Sequence, residues 1–185
     1  MTSAALTLRA VGCDDADLLF RLMQYYFFEA SAWSGERIGA DGLFDCRRAD
    51  VAAAIEDDPH WARLLECEGE VAGFVLVEPL ALDDADAAPM HACLQAFAPG
   101  ATCGPMELAD LFVLPAWRRR GLALETVRRL LVPGIGPWLI ATFREDAAAH
   151  AYWTRTLPRS GLRHEALPDG IDARFRLFAV EAPTD

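Results

Sequence analysis

The chain contains no lysine: all 17 of its basic residues are arginine. That excludes Schiff-base chemistry and the lysine of a P-loop nucleotide site. Positive charge is also scarce beside 28 acidic residues, and a net charge of −11 argues against nonspecific binding to nucleic acid or to anionic membranes. The five cysteines, Cys13, Cys46, Cys67, Cys93 and Cys103, form no C-x-x-C pair and are odd in number, which points to free thiols. Together with His60, His91, His150 and His164 they show no metal-ligand spacing, so neither a metal site nor a Cys-His enzyme is expected. The N-terminus has no basic region followed by a long apolar core, and Pro, Gly or polar residues interrupt the longest weakly charged stretches. A cytoplasmic location is expected.

What is present is apolar residue in quantity, 53% of 185 positions, enough for a single domain over 1–185 with a proper core. Ala5 to Val11 alternates as a first strand, Asp14 or Asp15 caps a helix, and apolar residues at helical spacing run from Leu18 to Phe28. Gly35 to Gly42 reads as a loop and Arg48 to Asp57 as a second helix, ended by Pro59. His60 to Cys67 and Val71 to Val77 form a hairpin about Glu68-Gly69-Glu70. A long loop insertion follows at about 80–105, with a short helix at His91 to Phe97. Leu108 to Leu114 and Trp138 to Phe143 are apolar strands, and Asp146 caps a helix to about Thr156. Arg163 to Leu167 and Arg174 to Val180 close the chain around the turn Pro168-Asp169-Gly170. The crossover helices imply a parallel strand pair toward the C-terminal half.

The stretch from Glu107 to Ala123 organises the rest. A strand ends at Pro115, which cannot continue a ladder, and Arg118, Arg119 and Arg120 run into Gly121 where a helix begins. Free N–H groups and the positive end of the helix dipole make such a start an anion site, with phosphate or pyrophosphate as its natural guest. Tyr25, Tyr26, Phe27 and Phe28, then Trp33, end the first helix. Consecutive rings cannot all face one way on a helix, so at least one lines a cavity or the surface. Glu29 beside them is placed to receive a cationic group or to stand solvated.

The residues just described resemble the GNAT superfamily of acetyl-CoA-dependent N-acyltransferases over most of the chain, in particular a poorly characterised bacterial subgroup. The family's R/Q-x-x-G-x-G/A signature, behind a strand ending near V-x-P, is met by Arg118, Gly121 and Ala123 behind Val113 and Pro115. Its E-N-x-x-A-x-x-F-Y helix is matched by Glu145, Asp146, Ala149, Tyr152 and Trp153. The resemblance implies an α/β (α+β) GNAT fold: a mixed central sheet of about six to seven strands, splayed between the fourth and fifth, and about four flanking helices. It implies acetyl-CoA as donor and no metal, with Arg118, Arg119, Arg120, Gly121, Leu122 and Ala123 at the pyrophosphate. Phe112, Val113 and Leu114 would hold the pantetheine arm, with Asp146 and Trp153 also at the coenzyme.

For the chemistry the resemblance implies an acidic residue on the strand as base, Asp110 first and Glu107 second, and an acid near the coenzyme sulfur. Tyrosine usually ends the helix motif; here Trp153 stands there and Tyr152 one step earlier, so Tyr152 is an acid or a core ring, and His150 is a further candidate. An indole cannot serve as the acid, although a thiolate can leave without one. Asp146 replaces an asparagine that touches the coenzyme in relatives. Tyr25, Tyr26, Glu29 and Trp33 are the candidate acceptor residues. The expected activity is transfer of an acetyl group to a primary amine of a small molecule or protein, by direct attack in a ternary complex, with a homodimer as one assembly. A noncatalytic acyl-CoA-binding sensor on the same fold is the alternative.

Overall fold

The computed structural model describes residues 5–81, 87–131 and 136–182. By proximity along the backbone the chain forms two compact units, Met1–Val77 with Asp110–Ala123, and Glu78–Ala109 with Leu124–Asp185.

The first unit holds strand β1 (Leu6–Ala10), helices α1 (Ala16–Ser34) and α2 (Arg48–Asp57), and strand β2 (Ala62–Cys67). It also holds all but the end of β3 (Glu70–Pro79) and the second half of β4 (Met106–Val113). β1 pairs antiparallel with β2 from Leu6↔Cys67 to Ala10↔Arg63, and β2 with β3 from Ala62↔Leu76 to Cys67↔Glu70. Glu68 (φ 56°) and Gly69 (φ 81°) make the hairpin turn, both left-handed, which matches the twist of the flanking strands. Leu65 faces Gly73 while Glu66 faces Val71, so Ala72 is an extra residue and β3 carries a bulge. Leu19, Leu64, Leu65, Phe74 and Val75 are fully buried and form the heart of this unit. α1 runs past Phe28 to Ser34 and stops at Gly35, whose φ of 78° is the left-handed cap that glycine supplies best. Glu29 and Trp33 are therefore helical.

The second unit holds α3 (Ala88–Phe97), the first half of β4, α4 (Leu122–Leu130) from Leu124 onward, and β5 (Trp138–Phe143). α5 (Ala147–Thr156), β6 (Arg163–Ala166) and β7 (Phe175–Glu181) complete it. α3 starts earlier than expected and is no decoration on a loop: Leu94 and Phe97 pack with Leu139, Leu177 and Ala179 in one buried cluster. Residues 82–86 of the expected excursion lie outside the described residues. β5 pairs antiparallel with β7 from Trp138↔Val180 to Phe143↔Phe175, and β6 with β7 from Arg163↔Glu181 to Ala166↔Phe178. β4 and β5 are parallel, paired at Met106↔Trp138, Glu107↔Leu139 and Leu108↔Ile140.

Among the described residues the mixed sheet has seven strands in the order β1-β2-β3-β4-β5-β7-β6, and there are five α-helices. No helix among the described residues is long and apolar enough to cross a membrane. All five cysteines are free.

Candidate active site

In the first unit the end of β4 is fixed from one side. The Leu114 N–H donates to the Ala72 carbonyl at 2.8 Å, across the bulge in β3. Phe112 is buried and meets Tyr26 and Phe74 at ring distances of 6.1 and 5.8 Å, with Tyr26 edge-on to Phe74 at 6.0 Å. Pro115–Trp117 then forms a single 3-10 turn, closed by Trp117 N–H to the Leu114 carbonyl at 2.8 Å. Arg119 (φ 64°) and Gly121 (φ 81°) are both left-handed, and α4 opens directly after them. The first turn of a helix leaves backbone N–H groups without intrahelical acceptors, which is where anions bind in general. The expected helix start and its glycine are in place.

The three arginines, alike in the sequence, have different surroundings. Arg118 donates Nε to the Val113 carbonyl at 2.7 Å and Nη2 to both oxygens of Glu29 at 2.8 and 2.7 Å. Arg120 lies over the Trp117 ring at 4.6 Å. Among the described residues Arg119 has no hydrogen-bond, ion-pair or ring partner, which leaves it as the arginine open to an incoming anion.

The aromatic end of α1 divides as helical geometry requires. Tyr25 and Phe28 are exposed, Tyr26 packs on Phe112, and Phe27 lies 6.4 Å from Phe44. Trp33 is half-buried. The cation that Glu29 meets is Arg118 of the same unit. Asp110 is half-buried, on the strand face that carries Leu108 and Phe112, and its charge helps push the Cys46 thiol upward after burial, Asp50 and Asp45. A protonated Cys46 is a poor nucleophile.

In the second unit Glu107 is half-buried, and burial raises its carboxyl above the ordinary range, with Glu78 and Asp172 adding like charge. The folded state thus holds the Glu107 proton more tightly than the unfolded chain does. Its contribution favours folding at and below the ordinary value of 4.5 and is lost as pH rises toward the folded value. Glu107→Gln should therefore unfold at a higher temperature than the parent at pH 7, with the difference closing near pH 4, as thermal melts across that range would show. A variant less stable than the parent at pH 7 would contradict this.

The Tyr152 hydroxyl accepts a hydrogen bond from the Leu124 N–H at 3.1 Å, so it satisfies one of the amides that the first turn of α4 leaves without an intrahelical acceptor. Burial nonetheless raises its pKa, while that N–H lowers it. Trp153 is buried and edge-on to Tyr152 at 5.0 Å. Asp146 caps α5 through its Oδ1, which accepts the Ala149 N–H at 2.9 Å. His150 stacks on Phe178 at 5.5 Å. Among the described residues no group of histidine, cysteine and carboxylate side chains is arranged to hold a metal ion.

Sequence reasoning missed two contributors. The Glu29–Arg118 pair joins residues 89 positions apart, which no local pattern announces. Gly73, alone within an apolar strand, did carry a signal, because such a glycine marks a bulge or a close backbone approach. A Cβ there would fall 2.0 Å from the Phe112 carbonyl oxygen.

No protein-family model and no curated protein matches the sequence. Solved structures do match in three dimensions. An acetyltransferase from Thermus thermophilus aligns over 97% of this chain and 98% of its own, with TM-score 0.58 and 20% identity. A GNAT-family acetyltransferase from Bacillus cereus aligns over 97% and 99%, with TM-score 0.56 and 13% identity. The diaminobutyrate acetyltransferase EctA of Paenibacillus lautus, solved with diaminobutyric acid and coenzyme A, aligns over 96% and 95%, with TM-score 0.56 and 12% identity. The architecture is the GNAT fold.

Proposed function

We propose that this chain is an N-acetyltransferase that moves an acetyl group from acetyl-CoA to a primary amine by direct attack, with donor and acceptor bound together and the whole of 1–185 working as one domain. The observation that carries the reading is the turn from Arg118 to Ala123, left-handed at Arg119 and Gly121, opening a helix just after a strand on the GNAT fold. That turn fits a pyrophosphate. Backbone N–H groups at the start of α4 and the unpartnered Arg119 would hold it, while Arg120 is steadied on Trp117. The backbone of Phe112, Val113 and Leu114 would hold the pantetheine arm, and the bound thioester supplies the activated acetyl carbon.

The chain's part in the chemistry is to deliver a neutral amine. Asp110 is assigned the proton of the incoming ammonium: it lies three residues before Val113, roughly 10 Å along a strand at about 3.3 Å per residue, so a thioester arm running back along β4 from Val113 would carry the acetyl carbon toward it. Glu107 is the second reading, favoured by its raised pKa, although by strand alternation it points to the opposite face from Asp110. Tyr152 is assigned the capping of α4, since its hydroxyl accepts the Leu124 N–H. A thiolate, with an ordinary pKa near about 8.5, needs little help to leave.

A diaminobutyrate acetyltransferase and a nucleotide-linked sugar GNAT are both among the similar structures, so the acceptor class proposed here stays broad, a primary amine of a small molecule or protein. Five free thiols suit a reducing compartment such as the cytoplasm. The test is thiol release from acetyl-CoA with a panel of amines, run beside direct titration with coenzyme A. Binding with amine-dependent thiol release supports the enzyme. Binding without release on any amine supports a noncatalytic acyl-CoA sensor, and no binding removes both readings.

A further inference from the structure

We infer that Glu29 is a positioning residue for the donor, acting through Arg118 on the end of β4, rather than a receptor for a cationic acceptor. The inference rests on the acetyl-CoA reading above. Arg118 spends Nε and Nη2 inside the protein: Nε on the Val113 carbonyl at 2.7 Å, and Nη2 on both oxygens of Glu29 at 2.8 and 2.7 Å. Its guanidinium also lies 5.7 Å from the centre of the Phe112 ring. One side chain thus ties the C-terminal part of α1 to two of the three residues assigned to the pantetheine arm. The first arginine of the turn is neutralised where an anion is expected, so Arg118 is a brace and not the phosphate ligand.

The strand shows what the brace does. The Leu114 N–H is bound to the Ala72 carbonyl and the Leu114 carbonyl accepts the Trp117 N–H, so Leu114 can offer the coenzyme only the second lone pair of its carbonyl. By alternation Val113 directs its N–H and carbonyl to the other side of the strand. A carbonyl oxygen has two lone pairs, and Arg118 occupies one, leaving Val113 oriented and still able to accept a second hydrogen bond from an amide of the donor. An arginine side chain with several rotatable bonds keeps that pose only if something holds its far end, and Glu29 is that partner. The pair is partly exposed, at 41% and 36%, so its contribution to global stability is small and its loss should not unfold the chain.

The experiment is Glu29→Gln, measured by coenzyme A titration, by steady-state KM for each substrate and by thermal melts. Positioning predicts weaker coenzyme binding, about three- to tenfold, with the acceptor KM unchanged at saturating donor and the melting temperature nearly unchanged. Plain electrostatics predicts the opposite sign. Deleting a carboxylate beside an anionic ligand and releasing an arginine toward it would tighten binding. Glu29→Asp keeps the charge but not the reach and should also weaken binding. Unchanged or tighter coenzyme binding in Glu29→Gln overturns the inference, as does a change confined to the acceptor KM. A parent protein that binds no coenzyme would instead sink the acetyl-CoA reading on which this one stands, and this one with it.

Discussion

Asp110→Asn is expected to lower kcat/KM for the amine by about 10²–10³-fold at pH 7, the usual weight of a positioned general base. Its coenzyme affinity should stay within about twofold of the parent, because the donor-holding groups assigned above are backbone and arginine. The loss should also shrink as pH rises. A primary amine in solution is almost wholly protonated at pH 7, and above its own pKa it supplies the neutral nucleophile without help from the protein. The parent and Asp110→Asn profiles should therefore converge on the alkaline side. Glu107→Gln provides the contrast, because the two carboxylates lie at odd separation on one strand and face opposite sides of the sheet. If Glu107 is the base, its variant takes the large loss, and the acid limb of the parent profile lies above the ordinary glutamate range because burial holds that proton. If both variants keep full rate at pH 7, neither carboxylate is the base and the mechanism proposed above is wrong.

Local signals were legible and distant ones were not. α2 and β5 fall at the expected bounds, because each is bracketed by its own stop residues and has one consistent period. The turn before α4 was legible for the same reason: Pro115, three arginines and Gly121 are neighbours in sequence, and the break and helix start they mark are imposed locally. The full length of α1 was obscured because Ala30, Ser31 and Ala32 carry no strong period, and only Gly35 marks the end. α3 was read as part of a loop because its alanine-rich sequence shows little amphipathicity, yet Leu94 and Phe97 suffice to bury it.

The division of labour among the arginines was beyond sequence for a different reason. Identical side chains in a row differ only through what the fold brings to them, here Glu29 to Arg118 and Trp117 to Arg120. The Tyr152 hydroxyl is the same kind of case. Position in the helix motif suggested an acid or a core ring, and the observed role, capping the Leu124 amide 28 positions away, follows only from how α5 packs on the start of α4. Acidity of the whole chain and local basicity of the turn are compatible in this light. Of the turn's three cations, one is spent on a carboxylate and one rests on a ring, so the free positive charge at the turn is smaller than the sequence suggests, and under the proposed coenzyme reading the backbone would do more of the anion binding.

Gly73→Ala is expected to destabilise the fold by about 3 kcal/mol and to weaken coenzyme binding in whatever fraction stays folded. The added Cβ would sit 2.0 Å from the Phe112 carbonyl oxygen, 3.0 Å from its carbon and 3.1 Å from Val113 Cα. Those atoms are backbone, so no side chain can swing aside, and β3 and β4 would have to part by about 1 Å to restore van der Waals distance. At φ +159°, a value that L side chains rarely adopt, backbone strain at Gly73 adds to the contact. Parting the strands strains the Leu114 N–H to Ala72 carbonyl bond, now 2.8 Å, and shifts the backbone of Phe112 and Val113, to which the pantetheine arm is assigned. Stability and donor affinity should thus fall together here, whereas Glu29→Gln should move affinity alone. Urea unfolding gives the first quantity and coenzyme A titration below the transition gives the second. A Gly73→Ala protein with parental stability would show that β3 and β4 are not packed as described at the bulge, and one destabilised but with parental affinity would show that Phe112 and Val113 do not hold the donor.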